Sequence, residues 1–307
     1  MTKTTSLIYG ILSLIFGTIP ISAQQLEISN IDEIVPAKNH YLELVGLSDL
    51  ERPAYSWMDS IAYPSELYRN NTLLFALVKP HYLTTTQVDF LVGSVEFPAN
   101  SSIQTRAELE YLLKLQKSRT PAQIERVMTL ARVGYWPDAN YLPSHKSYKK
   151  NLDHLFFMCK EVIGEGCNAE NYPNTSKLLQ GVMNDMRLME FAVKYKLLRA
   201  RPYQLDERIE PLKKISSPSF ASGHTIWAYI QAYTLGELAP KERPNFIELA
   251  YEIGVSREIM GVHYPSDEEA ARQLAHRMLM LMWHTAEFQA DFLKAKEEWN
   301  PSQKRGS

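Results

Sequence analysis

Neither sign of charge dominates this chain: 33 basic residues stand against 35 acidic ones, for a formal net charge of −2. A protein held to nucleic acid by electrostatics carries a basic excess or stripe, so that class is excluded. Cysteine is nearly absent, and the two present, Cys159 and Cys167, are not spaced as a metal site. Beyond the N-terminus no segment reaches the roughly 18 uninterrupted apolar residues that a spanning helix needs. Sustained alternation of β-branched with polar residues is missing as well, and with it the pattern of a half-buried strand. There is no internal repeat and no low-complexity tract.

What is present fits a large helical protein. At 307 residues and 45% hydrophobic composition, the chain can bury a full core as one large domain or two small ones. Residues 1–23 differ from the rest. Lys3 precedes an apolar run from Leu7 to Ile21, followed by Ser22-Ala23-Gln24. That order of a cationic head, an apolar centre and a small residue is the pattern of a secretory signal peptide, with cleavage expected after Ala23. The competing reading is an uncleaved anchor; Gly17, Pro20 and the shortness of the run argue against it. The expected mature chain is periplasmic or secreted, with no stable membrane insertion. In an oxidising compartment Cys159 and Cys167 could close a small disulfide loop through Gly164 and Gly166, or stay as two unpaired thiols. The disulfide is the favoured reading.

Residues 24–88 read as an N-terminal extension, either loosely structured or packed on the core, in which Pro36, Pro53, Pro64 and Pro80 divide short apolar pieces. Residues 89–299 read as one helical domain and 300–307 as a tail. Helical periodicity begins near Ile103, and Thr120 before Pro121 is an N-cap signal. Further helical segments are expected over 151–163, 175–200, 225–238, 243–259 and 267–299. The fold class is therefore all-α, a single helical bundle.

Three clusters carry chemistry. Lys194 and Arg201 are seven residues apart, close to two helical turns at about 100° per residue, so one helix would point both cations the same way. Pro202 disfavours helical geometry at the residue before it, so that helix is expected to end at Arg201. In the second cluster, Ser222-Gly223-His224, small polar residues lead into an apolar helical run, with Ser222 the expected cap. A helix start offers free N–H groups to an anion, Gly223 admits close approach, and His224 lies beside the bound group. In the third, Ser256-Arg257 ends a helix, His263 sits in a turn between Gly261 and Pro265, and Ser266 to Glu269 forms a capping box. Asp267 in that first turn is positioned to accept an imidazole N–H of His263, leaving the other ring nitrogen free as a nucleophile. Taken singly, each cluster also has a plain structural reading: solvated cations, a capped helix, an N-terminal helix charge.

Together they resemble the motifs of the phosphatidic acid phosphatase type-2 superfamily, which includes secreted class A non-specific acid phosphatases, vanadium-dependent haloperoxidases and membrane lipid phosphatases. Lys194 with Arg201-Pro202 matches the first motif, and Ser256, Arg257, His263 and Asp267 match the third in full. The middle motif is normally Pro-Ser-Gly-His and here reads Ala221-Ser222-Gly223-His224, which removes a fixed φ before the turn without removing a contact. Val92 to Phe97, Ala250 to Arg272 and Phe288 to Trp299 resemble segments of class A acid phosphatases. The resemblance runs from about residue 89 to 299.

The resemblance implies the acid phosphatase/vanadium haloperoxidase type of helical fold and a phosphomonoester hydrolase acting on a small-molecule substrate. By position, His263 would attack phosphorus and Asp267 would orient it. His224 would protonate the leaving alcohol and then deprotonate water, which favours acidic pH. Lys194, Arg201, Ser222, Gly223 and Arg257 would bind the phosphoryl oxygens. No metal or other cofactor is implied, since three fixed cations stand where Mg²⁺ would. Class A relatives tend to oligomerise, so a homo-oligomer is expected. The competing functions are a haloperoxidase holding vanadate in the same cage, a soluble lipid or sugar-phosphate phosphatase, and a phosphate binder without turnover.

Overall fold

A computed structural model describes residues 34–47, 56–134 and 143–300. The expected signal peptide and residues 301–307 lie outside the described residues, so the structure bears on neither. Among the described residues the architecture is all-α. The helices are α1 (Asn39–Val45), α2 (Asn70–Phe75), α3 (Thr85–Gly93), α4 (Ile103–Ser118), α5 (Pro121–Leu130), α6 (Tyr148–Leu155), α7 (Phe157–Ile163), α8 (Pro173–Leu197), α9 (Pro202–Leu205), α10 (Gly223–Leu238), α11 (Arg243–Ile259), α12 (Pro265–Trp283) and α13 (Ala286–Glu298). The one extended pairing among them is an isolated antiparallel bridge between Ala62 and Arg199.

Helix α10 is the centre of the bundle. Its run from Thr225 to Leu238 is buried on every side, as a helix apolar all round must be. It packs against α11, α12 and α8, while α13 covers the outer side of α8. The main core joins Leu178, Val182, Met186 and Met189 of α8 with Trp227, Ile230 and Leu235 of α10, Ile253 of α11 and Leu274 and Met278 of α12. At the start of α8, Glu298 of α13 accepts the Asn174 and Thr175 N–H groups at 2.6 and 2.9 Å, capping a terminus that would otherwise be unsatisfied. Thr120 caps α5 with Gln123 as the reciprocal partner, as its position before Pro121 predicts.

Several element boundaries differ from the sequence expectation. Helix α8 stops at Leu197, four residues before Arg201, because Leu198 takes a left-handed conformation (φ 54°). Arg201 is then extended and precedes α9, with Pro202 in the first-turn position its fixed φ suits. The last helical stretch is two helices, broken at His284–Thr285, and the 151–163 stretch is also two, divided at Phe156. Helix α12 starts at Pro265, not after Ser266: its N-cap is Tyr264, whose N–H is accepted by Asp267 at 3.1 Å.

The extension is docked on the core through its described parts. The carboxylate of Asp185 on α8 accepts the backbone N–H groups of His81, Tyr82 and Leu83 at 2.5, 2.8 and 2.8 Å. Helix α2 lies along α8, where Phe75 stacks on Phe191 at 5.7 Å and Thr72 Oγ1 meets the Tyr195 hydroxyl at 2.6 Å. Cys159 and Cys167 are joined in a disulfide, the favoured of the two sequence readings.

Candidate active site

A cavity of about 420 Å³ opens where the end of α8, the start of α10 and the end of α11 converge. Lys194, Arg201, Gly223, His224, Arg257 and His263 all line it. The sequence motifs, spread over some 70 residues of chain (194 to 263), are thus brought to one cavity. Lys194 and Arg201 reach it from different elements, not from one helix as their spacing suggests. The three residues between Leu198 and α9 replace the last helical turn and carry Arg201 in from the side.

His263 is held by a short chain of contacts. Gly261, at φ 72°, is in the left-handed region open to glycine, and that turn delivers His263 from the end of α11. Asp267, at the third position of α12, is one helical turn away. Its Oδ2 stands 3.0 Å from His263 Nδ1, so the imidazole donates there and its other nitrogen, Nε2, keeps its lone pair. An N–H of Arg201 donates to that Nε2 at 2.9 Å, and Arg201 also donates to the carbonyl oxygens of Val262 and Ser217 at 2.7 and 2.9 Å. Burial, then the charge of Arg201, pulls the His263 pKa well below its ordinary value, against the opposing hydrogen bond to Asp267. The imidazole is therefore neutral at neutral pH, as a nucleophile must be.

Asp267 owes its ionised state to more than the helix terminus. Burial alone would raise its pKa, but Arg199, His263 and Ser219 together outweigh that, and the carboxyl lies well below the usual carboxylate range. The Arg199 guanidinium donates to Asp267 Oδ1 at 2.7 Å, and the Ser219 hydroxyl donates to Oδ2 at 2.5 Å. Neither residue is marked in the sequence. Arg199 is simply another arginine beside Arg201, and only the left-handed turn at Leu198 directs it inward. Fully buried, it lies 3.8 Å from the Tyr264 ring centroid and 5.0 Å from that of Phe97, with Glu108 at 3.4 Å as a second anion.

His224 stands in the first turn of α10 and lines the same cavity. Its Nε2 is buried and has no hydrogen-bond partner. An orphaned nitrogen in a polar cavity is an unused donor or acceptor, open to a ligand atom. Burial first, then Arg257, Arg187 and His263, depress the His224 pKa. Lys194 is brought down to about 7 by burial and by Arg201; its ammonium donates to the carbonyl oxygens of Pro218 and Ser219 at 2.9 Å each, leaving one of its three donors uncommitted. Arg257, lowered to about 10 mainly by burial, has its Nε buried without a partner. Burial first, and then the neighbouring Arg201, lowers the pKa of both Lys194 and Arg257, and a bound anion would offset both effects.

Ser222 is the N-cap residue of α10, but its hydroxyl donates to Thr225 Oγ1 at 3.1 Å, and the cavity wall is formed by Gly223 and His224. Thr225 in turn donates to Glu268. Ser216 and Ser217 line the cavity, and the Ser217 Oγ accepts from Arg201 at 3.2 Å. Glu190 also faces the cavity, paired with Arg187 at 2.6 Å. A Cβ on Gly223 would meet the Glu190 carboxylate, so a side chain there has to displace Glu190; the constraint is close approach, not backbone angle. Among the described residues no group of three or more His, Cys, Asp or Glu side chains is arranged to hold a metal ion.

The fold and the cavity together define a helical protein with a buried polycationic anion site between two neutral imidazoles, one of them tied to a carboxylate. Residues 175–290 match the PAP2 superfamily, the same family that the three motifs resemble. Among curated proteins the chain is similar to the non-specific acid phosphatase of Providencia stuartii, 31% identical over 145 residues, 45% of this chain and 58% of the relative. The non-specific acid phosphatase of Salmonella typhi is 29% identical over 160 residues, 49% of this chain and 62% of the relative. The matches thus span about three-fifths of the relatives' length. A bacterial vanadium-dependent iodoperoxidase shares the fold, with a TM-score of 0.53 at 14% identity over 78% of this chain and 63% of that one. No described helix is long and apolar enough to cross a membrane.

Proposed function

We propose that the protein is a phosphomonoester hydrolase that works through a phosphohistidine on His263. One observation carries this reading: His263 has one ring nitrogen fixed on Asp267 and the other turned to the cationic wall, and the unpartnered Nε2 of His224 shares the same cavity. A phosphoryl group in the cavity draws the N–H groups of Arg201 toward its oxygens and releases the His263 lone pair. Nε2 then attacks phosphorus as the phosphorus–oxygen bond to the alcohol breaks. His224, protonated, gives its proton to the departing oxygen. Asp267 stabilises the cationic imidazole by keeping its Nδ1–H bond, the orienting role an aspartate has in a catalytic triad. Water then attacks phosphorus, His224 takes its proton, and phosphate leaves His263.

Lys194, Arg201, Arg257 and the Gly223 amide bind the equatorial oxygens, where losing one such donor costs about 10²–10³ in rate. The relatives named non-specific acid phosphatase support the same assignment. The enzyme acts in a periplasmic or secreted setting, which the disulfide suits.

The test is phosphate release from an aryl phosphate by the wild type and by His263→Ala. The expected result is turnover in the wild type and its loss in the variant, with vanadate as a competitive inhibitor. Retained turnover in His263→Ala would reject the nucleophile. Halide oxidation with vanadate and peroxide, without phosphate release, would favour the oxidative chemistry of the structural neighbour.

A further inference from the structure

The cavity holds more positive charge than one phosphoryl group can use. Beyond Lys194, Arg201 and Arg257 it is lined by Arg69, Arg187 and Lys213. Arg187 is engaged by Glu190 at 2.6 Å. Arg69 and Lys213 are exposed and carry no ion pair among the described residues. A phosphate has five heavy atoms; at the roughly 30 Å³ a water occupies in the liquid, it fills on the order of 100–150 Å³, a minor part of the cavity. The volume left over is open to a further group, and Arg69 and Lys213 line the same cavity.

Arg69 belongs to the N-terminal extension, outside the stretch matched by the family. Its place is nonetheless fixed. Its carbonyl oxygen accepts the Thr72 hydroxyl at 2.8 Å and the Thr72 N–H at 3.0 Å, so it is tied to the first turn of α2. Helix α2 is in turn held on α8 by Phe191 and Tyr195, the two aromatic residues that flank Lys194. The Tyr68 ring packs edge-on against Tyr195 at 5.2 Å, securing the residue on the other side of Arg69. The extension thus builds one wall of the mouth and sets a cation on it.

Resting on the phosphohydrolase reading above, we infer that Arg69 and Lys213 form a second anion subsite, and that the preferred substrates carry another anionic group on the leaving side, as in a diphosphate or a bisphosphate. The reacting phosphoryl group sits in the cage, and the second group lies toward the mouth between Arg69 and Lys213. A merely long-range attraction by the same charges would favour every anionic ligand alike and fade with salt. A subsite favours ligands with two anionic groups over those with one.

The test is equilibrium binding of inorganic phosphate and of methylenediphosphonate, which is not hydrolysed, to wild type, Arg69→Ala, Lys213→Ala and the double variant. The expected result is that the preference for the diphosphonate over phosphate falls by about tenfold in each single variant, and further in the double, since charge-assisted contacts to an anion are at stake. Arg69→Lys is expected to restore part of it. An unchanged preference, or equal weakening of both ligands, would overturn the proposal. Turnover of pyrophosphate and phenyl phosphate in His263→Ala separates the underlying reading: surviving hydrolysis there sinks the phosphohistidine while leaving the binding result to stand or fall alone.

Discussion

Replacing Arg199 with methionine is the most revealing perturbation of the site, because Arg199 touches no substrate in the proposed mechanism and yet supports its nucleophile. The guanidinium is fully buried, 2.7 Å from Asp267 and 3.4 Å from Glu108, and it also donates to Ser266 Oγ at 2.8 Å. Methionine keeps much of the volume and removes the charge, leaving two buried carboxyl groups without a cation. Breaking a buried pair in this one-sided way costs about 3–5 kcal/mol, a large part of a domain's typical 5–15 kcal/mol.

The loss is pH-dependent, and its sign follows from the two carboxyls. In the wild type Asp267 lies below its ordinary pKa, so its stabilising contribution is present above the unfolded value and is lost as pH falls through the folded one. Glu108 is already raised to about 7, by burial against the opposing pull of Arg199. Without Arg199 both groups bind protons more tightly in the folded state, so acid favours the folded variant relative to its unfolded chain. The deficit against wild type is therefore greatest near neutral pH and shrinks toward about pH 5, nearer the ordinary carboxyl range. Denaturant unfolding of wild type and Arg199→Met at the two pH values measures it, with Arg199→Lys as the variant that keeps a charge and should lose less. Phosphate release at neutral pH should fall in parallel, since a protonated Asp267 no longer orients His263. A deficit below about 1 kcal/mol at neutral pH, the size of an ordinary exposed pair, or one that grows on acidification, would refute the reasoning.

Further predictions concern the cage and the frame. Since His224 acts when protonated, activity is lost as pH rises through its pKa; a bound dianion offsets the cations that depress that pKa, so the alkaline limb of kcat should lie at higher pH than that of kcat/KM, and the reverse order would contradict the assignment. Lys194, at about 7, loses charge as pH rises through neutrality and should lower kcat/KM further there. Gly223→Ala should lower kcat/KM by about 10²–10³ by driving a methyl group into Glu190, with partial recovery in the Gly223→Ala/Glu190→Ala double variant; wild-type kinetics in the single variant would show that the contact relaxes freely. The Cys159–Cys167 bridge closes a short loop, with a sequence separation of 8, and replacing both residues with alanine should cost about 2–3 kcal/mol in thermal or denaturant unfolding while sparing kcat/KM.

Much of the site was legible because its motifs depend on local chemistry. The spacing His263 to Asp267 matches one turn at the start of α12, and a carboxylate there meets the imidazole whatever surrounds it. Gly223 and His224 head a helix because the following residues are apolar on all faces, which fixes α10 as the buried centre. Reading Lys194 and Arg201 as one helical face failed for a local reason, the left-handed Leu198, which no propensity rule requires of leucine. Assigning the cage hydroxyl to Ser222 failed because capping position says nothing of which way a side chain turns, and Thr225 and Glu268 draw it inward.

The sequence by itself determined the helical class and picked out His263 with Asp267, His224, Lys194, Arg201 and Arg257 as one candidate set, since periodicity and short spacings encode contacts within one or two turns. Only the tertiary structure decided what lies between distant segments. It put Arg199 and Ser219 against Asp267, set Glu190 against Gly223, and laid the extension along α8 so that Arg69 reaches the cavity. These pairings join residues 33 or more positions apart or cross a break in a helix, and the packing that selects them belongs to the whole core rather than to any one stretch of chain.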